Sequence, residues 1–178
     1  MSGSDAELAV RRIWKEEAPR VIGSVARLLR DVALAEDFAQ EAVLAALEEW
    51  PRTGIPDRPG AWLTTTARNR ALNSLRRDAM ADRTGAAMEL EHGRQPPPGE
   101  VEAALAENVD RDVRDDVLRL LFTACHPVLS QEARVTLTLR VVGGLSTEEI
   151  ARAFLTSEPT IAQRVLRAKR ALGEARLP

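Results

Sequence analysis

The chain has 178 residues, with 25 Lys plus Arg against 27 Asp plus Glu, a formal net charge of −2, one Cys, no Tyr and only 3% aromatic residues. Ala, Leu, Glu and Arg are abundant and β-branched residues seldom run together, which predicts an all-α protein and argues against a sandwich or barrel. One Cys excludes an internal disulfide framework, no apolar stretch approaches the ~20 residues of a bilayer span, and no leader pattern opens the chain, so a soluble cytoplasmic protein is expected.

Asp5 to Glu17 reads as a helix with Leu8, Ala9, Ile13 and Trp14 near one face. Pro19 is expected to interrupt or restart it, because its ring removes a backbone hydrogen bond. A second helix to about Arg30 buries Val21, Ile22, Val25, Leu28 and Leu29, and a third, from about Ala33 to Trp50, buries Phe38, Ala42, Val43, Ala46, Leu47 and Trp50. From Asp31 to Trp50 there are six acids and no Lys or Arg. Pro51, Gly54, Pro56, Pro59 and Gly60 predict a loop of about a dozen residues. A fourth helix from about Gly60 turns Trp62, Leu63, Ala67, Ala71, Leu72 and Leu75 inward and carries four Arg and no acid between Trp62 and Arg77. These helices make one unit, 5–83.

Gly85, Gly93, Pro96, Pro97, Pro98 and Gly99 then lie in a stretch where nine acids face three Arg between Ala86 and Asp116. Such a composition cannot bury enough apolar area to offset its ordering entropy, so 84–111 is expected to be an acidic flexible linker, with local helix at most near Val101 to Glu107. A second helical unit, 112–176, starts near Asp112, where Val113, Val117, Leu118, Leu121, Phe122 and Cys125 form one apolar face ended by Pro127. Ser130 is placed to cap a helix through Val142 that Gly143 and Gly144 terminate. Ser146-Thr147-Glu148-Glu149 is a capping box, opening a short helix to Phe154. After a turn at Leu155-Thr156, Ser157 caps a last helix to about Ala175, with Arg164, Arg167, Lys169 and Arg170 and no acid from Ile161 to Leu172. Short helix, tight turn and basic helix make a helix-turn-helix.

Catalysis has little to work with. His92 falls in the linker, and His126 stands beside Cys125, which reads as a small buried packing residue. Two His and one Cys cannot close a zinc site without carboxylates at unsupported spacings, and no phosphate-binding Gly loop, Ser/His/Asp grouping or HExxH pattern is present. No enzymatic activity, cofactor or metal is expected. The acid-free Arg helices are either solvated faces or phosphate-binding surfaces, and two of them in one chain favour nucleic acid as partner. On the last helix, Thr160, Ala162, Gln163, Arg164, Leu166 and Arg167 occupy the half that faces base edges in such a motif, while Lys169 and Arg170 are placed for phosphates. Ile161, Val165, Leu166 and Leu172 also read as a core stripe, and both readings can hold on opposite faces.

Three segments in this order carry a family resemblance. Asp37-Phe38-Ala39-Gln40-Glu41, then Trp62-Leu63 with Ala67-Arg68-Asn69 and Arg76-Arg77, then Leu129-Ser130, Leu139-Arg140, Gly144-Leu145-Ser146, Glu149-Ile150-Ala151 and Thr160 to Lys169 resemble the extracytoplasmic-function (group 4, sigma-70 family) sigma factors of bacterial RNA polymerase. The resemblance implies a four-helix region 2 bundle and a helix-turn-helix region 4, and a function in binding core RNA polymerase, recognising promoters and starting transcription. It implies that Asp37, Phe38, Gln40 and Glu41 dock on the basic coiled-coil of the polymerase β′ clamp. It assigns Trp62, Arg68, Asn69, Asn73, Arg76 and Arg77 to the −10 element, Trp62 either stacking at the melted edge or filling the core. It assigns Arg140, Ser157, Thr160, Ala162, Gln163, Arg164, Leu166, Arg167 and Lys169 to the −35 element.

Cys125-His126-Pro127 and Ala162-Gln163-Arg164 further resemble a subgroup that continues into a C-terminal helical-repeat extension; such an extension or an anti-sigma factor is a further possible partner, and no membrane is involved. Asn73 stands where the family often has Asp, a Pro-rich Arg52 to Pro59 loop replaces a more polar one, Pro159 replaces a Gly, and Leu155 occupies a turn position where Gly is usual and a Leu with positive φ is strained. Two other classes compete: a one-component helix-turn-helix regulator that binds duplex DNA unaided, and a helical adaptor whose Arg helices pair with acidic proteins.

Overall fold

The computed structural model describes residues 3–84 and 109–175, with side chains described for 7–78 and 114–175. Among the described residues the chain is all-helical and contains no strand. The first helix, α1, runs unbroken from Gly3 to Leu29 with Pro19 inside it, so the expected interruption does not occur. Pro19 deprives the Lys15 carbonyl of its usual donor, and Gly144 closes on that carbonyl: a Cβ there would lie 3.2 Å from the Lys15 oxygen. Tertiary packing thus uses the gap that Pro19 leaves.

Asp31 caps α2, Val32–Thr53, its Oδ1 accepting from the N–H groups of Ala33 at 2.7 Å and Leu34 at 3.0 Å. Ala35, Ala39, Ala42 and Ala46, at helical spacing, are fully buried together with Val21 and Val25 of α1; small side chains let the two helices approach closely. The predicted loop after Trp50 is shorter than expected. Pro51 lies within the last turn of α2, Gly54 ends it with φ 89°, and α3 begins at Pro59 and runs to Thr84. Trp50 and Trp62 meet edge to face with ring centroids 5.5 Å apart, both buried, beside Leu63 and Ala67.

Residues 85–108, which include His92, the three prolines and most of the expected linker, lie outside the described residues. The helix after them, α4, is Val109–Ala124, three residues earlier than its apolar pattern suggests. Its buried stripe is Asp116, Leu120 and Ala124, not the predicted face: Leu118 is 50% and Phe122 68% exposed, and Cys125 is exposed rather than packed. Both stripes of α4 carry leucines, so periodicity alone cannot choose between them. The choice is made by α1, where Gly23 admits the α4 backbone (a Cβ would sit 3.0 Å from the Asp116 carbonyl oxygen) and Arg27 meets the buried Asp116 carboxylate at 3.2 Å.

The remaining helices follow the expected punctuation. Ser130 caps α5, Gln131–Val141; the Ser146/Glu149 capping box opens α6, Thr147–Ala153; and α7 is Glu158–Glu174. Leu155 takes φ 51° in the turn between α6 and α7 and is 95% exposed, so the strained conformation is adopted with a leucine. Leu137, Val141, Ile150, Ile161, Val165, Ala168 and Leu172 form the core of this half. The buried residues of both halves belong to one contiguous cluster.

Candidate nucleic-acid interface

The two faces of α7 are sharply different. Ile161, Val165, Ala168 and Leu172, at spacings of three and four, are buried against α5 and α6. Thr160, Ala162, Gln163, Leu166, Arg167 and Arg170 are exposed, Leu166 by 58%. Predicted −35 residues Thr160, Ala162, Gln163, Leu166 and Arg167 therefore share one open face. Ser157 supplies no side-chain cap to α7; its hydroxyl instead lies 2.8 Å from that of Thr160, fixing the Thr160 rotamer at the entrance to the helix. Between α7 and the start of α5 lies a groove of about 410 Å³ bordered by Ser130, Glu132, Gln163, Arg164 and Arg167.

Three other −35 candidates are engaged by partners within the chain. Arg164 pairs with Glu132 at 2.9 Å and lies 6.0 Å from the Phe154 ring centroid. Arg140 and Lys169 both meet Glu36 of α2, Arg140 Nε at 2.8 Å and Lys169 Nζ at 2.6 Å, leaving the lysine side chain 14% exposed. In this arrangement neither faces solvent as a phosphate contact would.

On α3, Asn73, Arg76 and Arg77 are exposed, Arg68 donates to the buried Ser24 hydroxyl at 3.2 Å, and Asn69 is half-buried. Trp62 sits in the core against Trp50, so of the two readings of this residue the structure places it in the packing one. On α2, Asp37 is exposed and Phe38 packs against the core, while Glu41, half-exposed, pairs with Arg70 of α3 at 3.0 Å. Leu34 and Leu44, 48% and 59% exposed, flank Asp37 and Glu41 along one helical stripe. Sequence reasoning missed these two leucines, although their spacing from the acids is legible as i, i+3, i+7, i+10.

It also missed Glu36. The signal was present: Val32, Glu36, Ala39 and Val43 lie at spacings of four, three and four, so the carboxylate interrupts an apolar stripe. Burial alone would raise its pKa, but Lys169 and then Arg140 outweigh that effect and hold it below the ordinary 4.5. Glu149 is lowered further, to about 2, because Lys15 Nζ at 2.6 Å and then the Ser146 N–H at 2.9 Å stabilise the charged form.

Both shifts have the same sign. A carboxyl whose folded pKa is depressed contributes stability above its unfolded pKa and loses it as pH falls through the folded one. The contribution of the two carboxylates is expected to be full above pH 4.5 and to be lost as pH falls below it, that of Glu149 draining away down to about 2. Urea midpoints should fall over this window, and Glu149→Gln should lower the midpoint at neutral pH while flattening the acid limb. An acid limb as steep as that of the unaltered chain would remove Glu149 from this account.

The sigma-70 region 2 family model matches residues 13–80, and the sigma-70 region 4 model matches residues 119–172. The extracytoplasmic-function RNA polymerase sigma factor SigL of Mycobacterium tuberculosis is 33% identical over 169 residues, covering 94% of this chain and 89% of the relative. The RNA polymerase sigma-H factor of Pseudomonas aeruginosa is 27% identical over 172 residues, covering 89% and 81%. An uncharacterized protein of Rhizobium meliloti is 39% identical over 168 residues, 90% of this chain, which spans 37% of that relative's length.

Proposed function

The chain belongs to the extracytoplasmic-function sigma factors of the sigma-70 family, and we propose that it binds core RNA polymerase, brings it to promoters and starts transcription, working where the polymerase is, in the cytoplasm. The observation that carries this reading is the division of α7 into a buried apolar stripe and an open face of Thr160, Gln163, Leu166, Arg167 and Arg170.

That face has the donors and apolar contacts that the major groove rewards. Arg167 suits the two acceptors of guanine and Gln163 the paired groups of adenine, each discriminating by ~1–3 kcal/mol; Ala162 and Leu166 suit a thymine methyl. Asn73, Arg76 and Arg77 of α3 are the residues free to hold the −10 strand, with Arg68 and Asn69 beside them. An unstacked base costs a few kcal/mol to capture, which phosphate pairing helps to offset. Asp37 and Glu41, framed by Leu34 and Leu44, form the surface for the basic coiled-coil of the β′ clamp. The division of the chain into 5–83, a linker and 112–176 belongs to the same proposal.

In-vitro transcription with core polymerase on a genomic fragment library tests the whole reading: defined start sites should depend on the added chain. At the −35 element so obtained, Arg167→Ala should relax one position, and replacing its thymines by deoxyuridine should weaken binding where Leu166 or Ala162 reads a methyl. Tight, sequence-specific binding of duplex DNA without polymerase, and no transcription with it, would favour a one-component regulator.

A further inference from the structure

A cavity between the end of α1, the start of α2 and the side of α4 contains none of the residues assigned above to polymerase or promoter. Its volume is about 230 Å³, and Arg27, Arg30 and Arg119 border it, with Ala26, Val32 and Leu120 as apolar lining. Two carboxylates share it, and both already have partners. Asp116, 3% exposed, holds Arg27 at 3.2 Å, while Asp31 accepts from the N–H groups of Ala33 and Leu34 at the start of α2. Arg30 and Arg119 are exposed, and among the described residues neither forms an ion pair. The cavity therefore holds two guanidinium groups whose charge no carboxylate cancels.

The two stand on different elements. Arg119 lies on α4, and Arg30 follows the last residue of α1, donating its N–H to the Ala26 carbonyl at 2.7 Å with φ 54°. Glycine or asparagine fills such a position without strain, so an arginine there strains the backbone and sets a guanidinium at the rim. Each planar fork can take two oxygens of one phosphoryl group. We propose that the cavity binds a small molecule through a diphosphate group, one phosphoryl on Arg30 and the other on Arg119, with any carbon part against Val32 and Leu120. A lone carboxylate would satisfy one fork and leave the other. A nucleic-acid strand would have to enter a space walled by three helices.

Titration calorimetry of the full chain with pyrophosphate, inorganic phosphate and adenosine diphosphate at fixed ionic strength tests this. Pyrophosphate should bind saturably and raise the melting temperature, because it ties α4 to the α1–α2 turn in the folded chain alone. Inorganic phosphate fills one fork and should bind at least about tenfold more weakly. Arg30→Gly separates ligand from fold: it relieves the strained φ, so the melting temperature without anion should hold or rise, while pyrophosphate affinity falls at least about tenfold. Arg119→Gln should lose a similar factor. Arg12→Gln, an exposed arginine of α1 outside the cavity, should keep the affinity.

Absence of saturable pyrophosphate binding overturns the site. So does binding that survives both Arg30→Gly and Arg119→Gln, which places the anion elsewhere, and so does an equal loss in Arg12→Gln, which reduces the effect to diffuse charge. Should the two cavity variants instead weaken a short DNA duplex and leave pyrophosphate untouched, the cavity serves a nucleic-acid phosphate and the small-molecule site is rejected. Adenosine diphosphate binding more tightly than pyrophosphate supports the site with a nucleotide as its ligand; equal affinities support it with the free diphosphate. If Arg30→Gly does not fold, Arg30→Asn, which also accepts this φ, and Arg119→Gln decide.

Discussion

Core RNA polymerase is expected to stop retaining the chain once Asp37 and Glu41 both become lysine. Asp37 is exposed and Glu41 is 47% exposed, on one stripe of α2 bounded by Leu34 and Leu44. Two leucines around two acids have the form of a small interface core with charges that set partner and register. Losing one partner of a buried interfacial charge pair costs roughly 2–5 kcal/mol, and reversing two against a basic surface adds repulsion, so affinity should fall by at least about a thousandfold. Glu41 also pairs with Arg70, so Asp37→Lys alone and Glu41→Gln separate docking from internal packing. Co-purification with core polymerase and run-off transcription are the measurements. Recovery equal to that of the unaltered chain would sink the docking assignment.

The largest stability effect is expected at Trp50, 1% exposed and in edge-to-face contact with Trp62. Trp50→Ala should cost about 3–5 kcal/mol through lost burial and the cavity left behind, lowering the melting temperature by roughly 10 °C or more. Trp50→Phe should cost much less. Its indole N–H finds no acceptor among the described residues, so phenylalanine removes an unpaired buried donor while keeping most of the apolar body. Calorimetry on the two variants checks this; equal losses would mean that the N–H is paired. Trp62→Ala should likewise melt the fold first, and lose DNA only as a consequence of that.

Local chemistry was the legible part. Ser130 and the Ser146/Glu149 box cap the helices they were expected to cap, because a cap is decided by a few neighbouring residues, whereas Ser157 opens the last helix without the side-chain cap expected of it. Likewise the open face of α7 follows from its apolar period. The turn at Leu155 was read as strained, and its φ of 51° bears that out. Three readings failed where a distant element decided the outcome. Pro19 was expected to break a helix that instead continues, α4 buries Leu120 and Ala124 instead of Leu118 and Phe122, and Cys125 is exposed.

The order of residues by itself determined the helical class, the caps at Ser130 and Ser146, the alternation of acidic and basic blocks and the family, all of which depend on contacts within a few turns or on motif spacing. Which cations stay exposed was decided only by the tertiary structure. Arg140, Lys169 and Arg167 are alike as sequence, yet two are neutralised by Glu36, 104 and 133 residues away, and the third is open. A charge's availability is set by what folding brings within a few ångströms of it, and no local pattern in the chain encodes that distance.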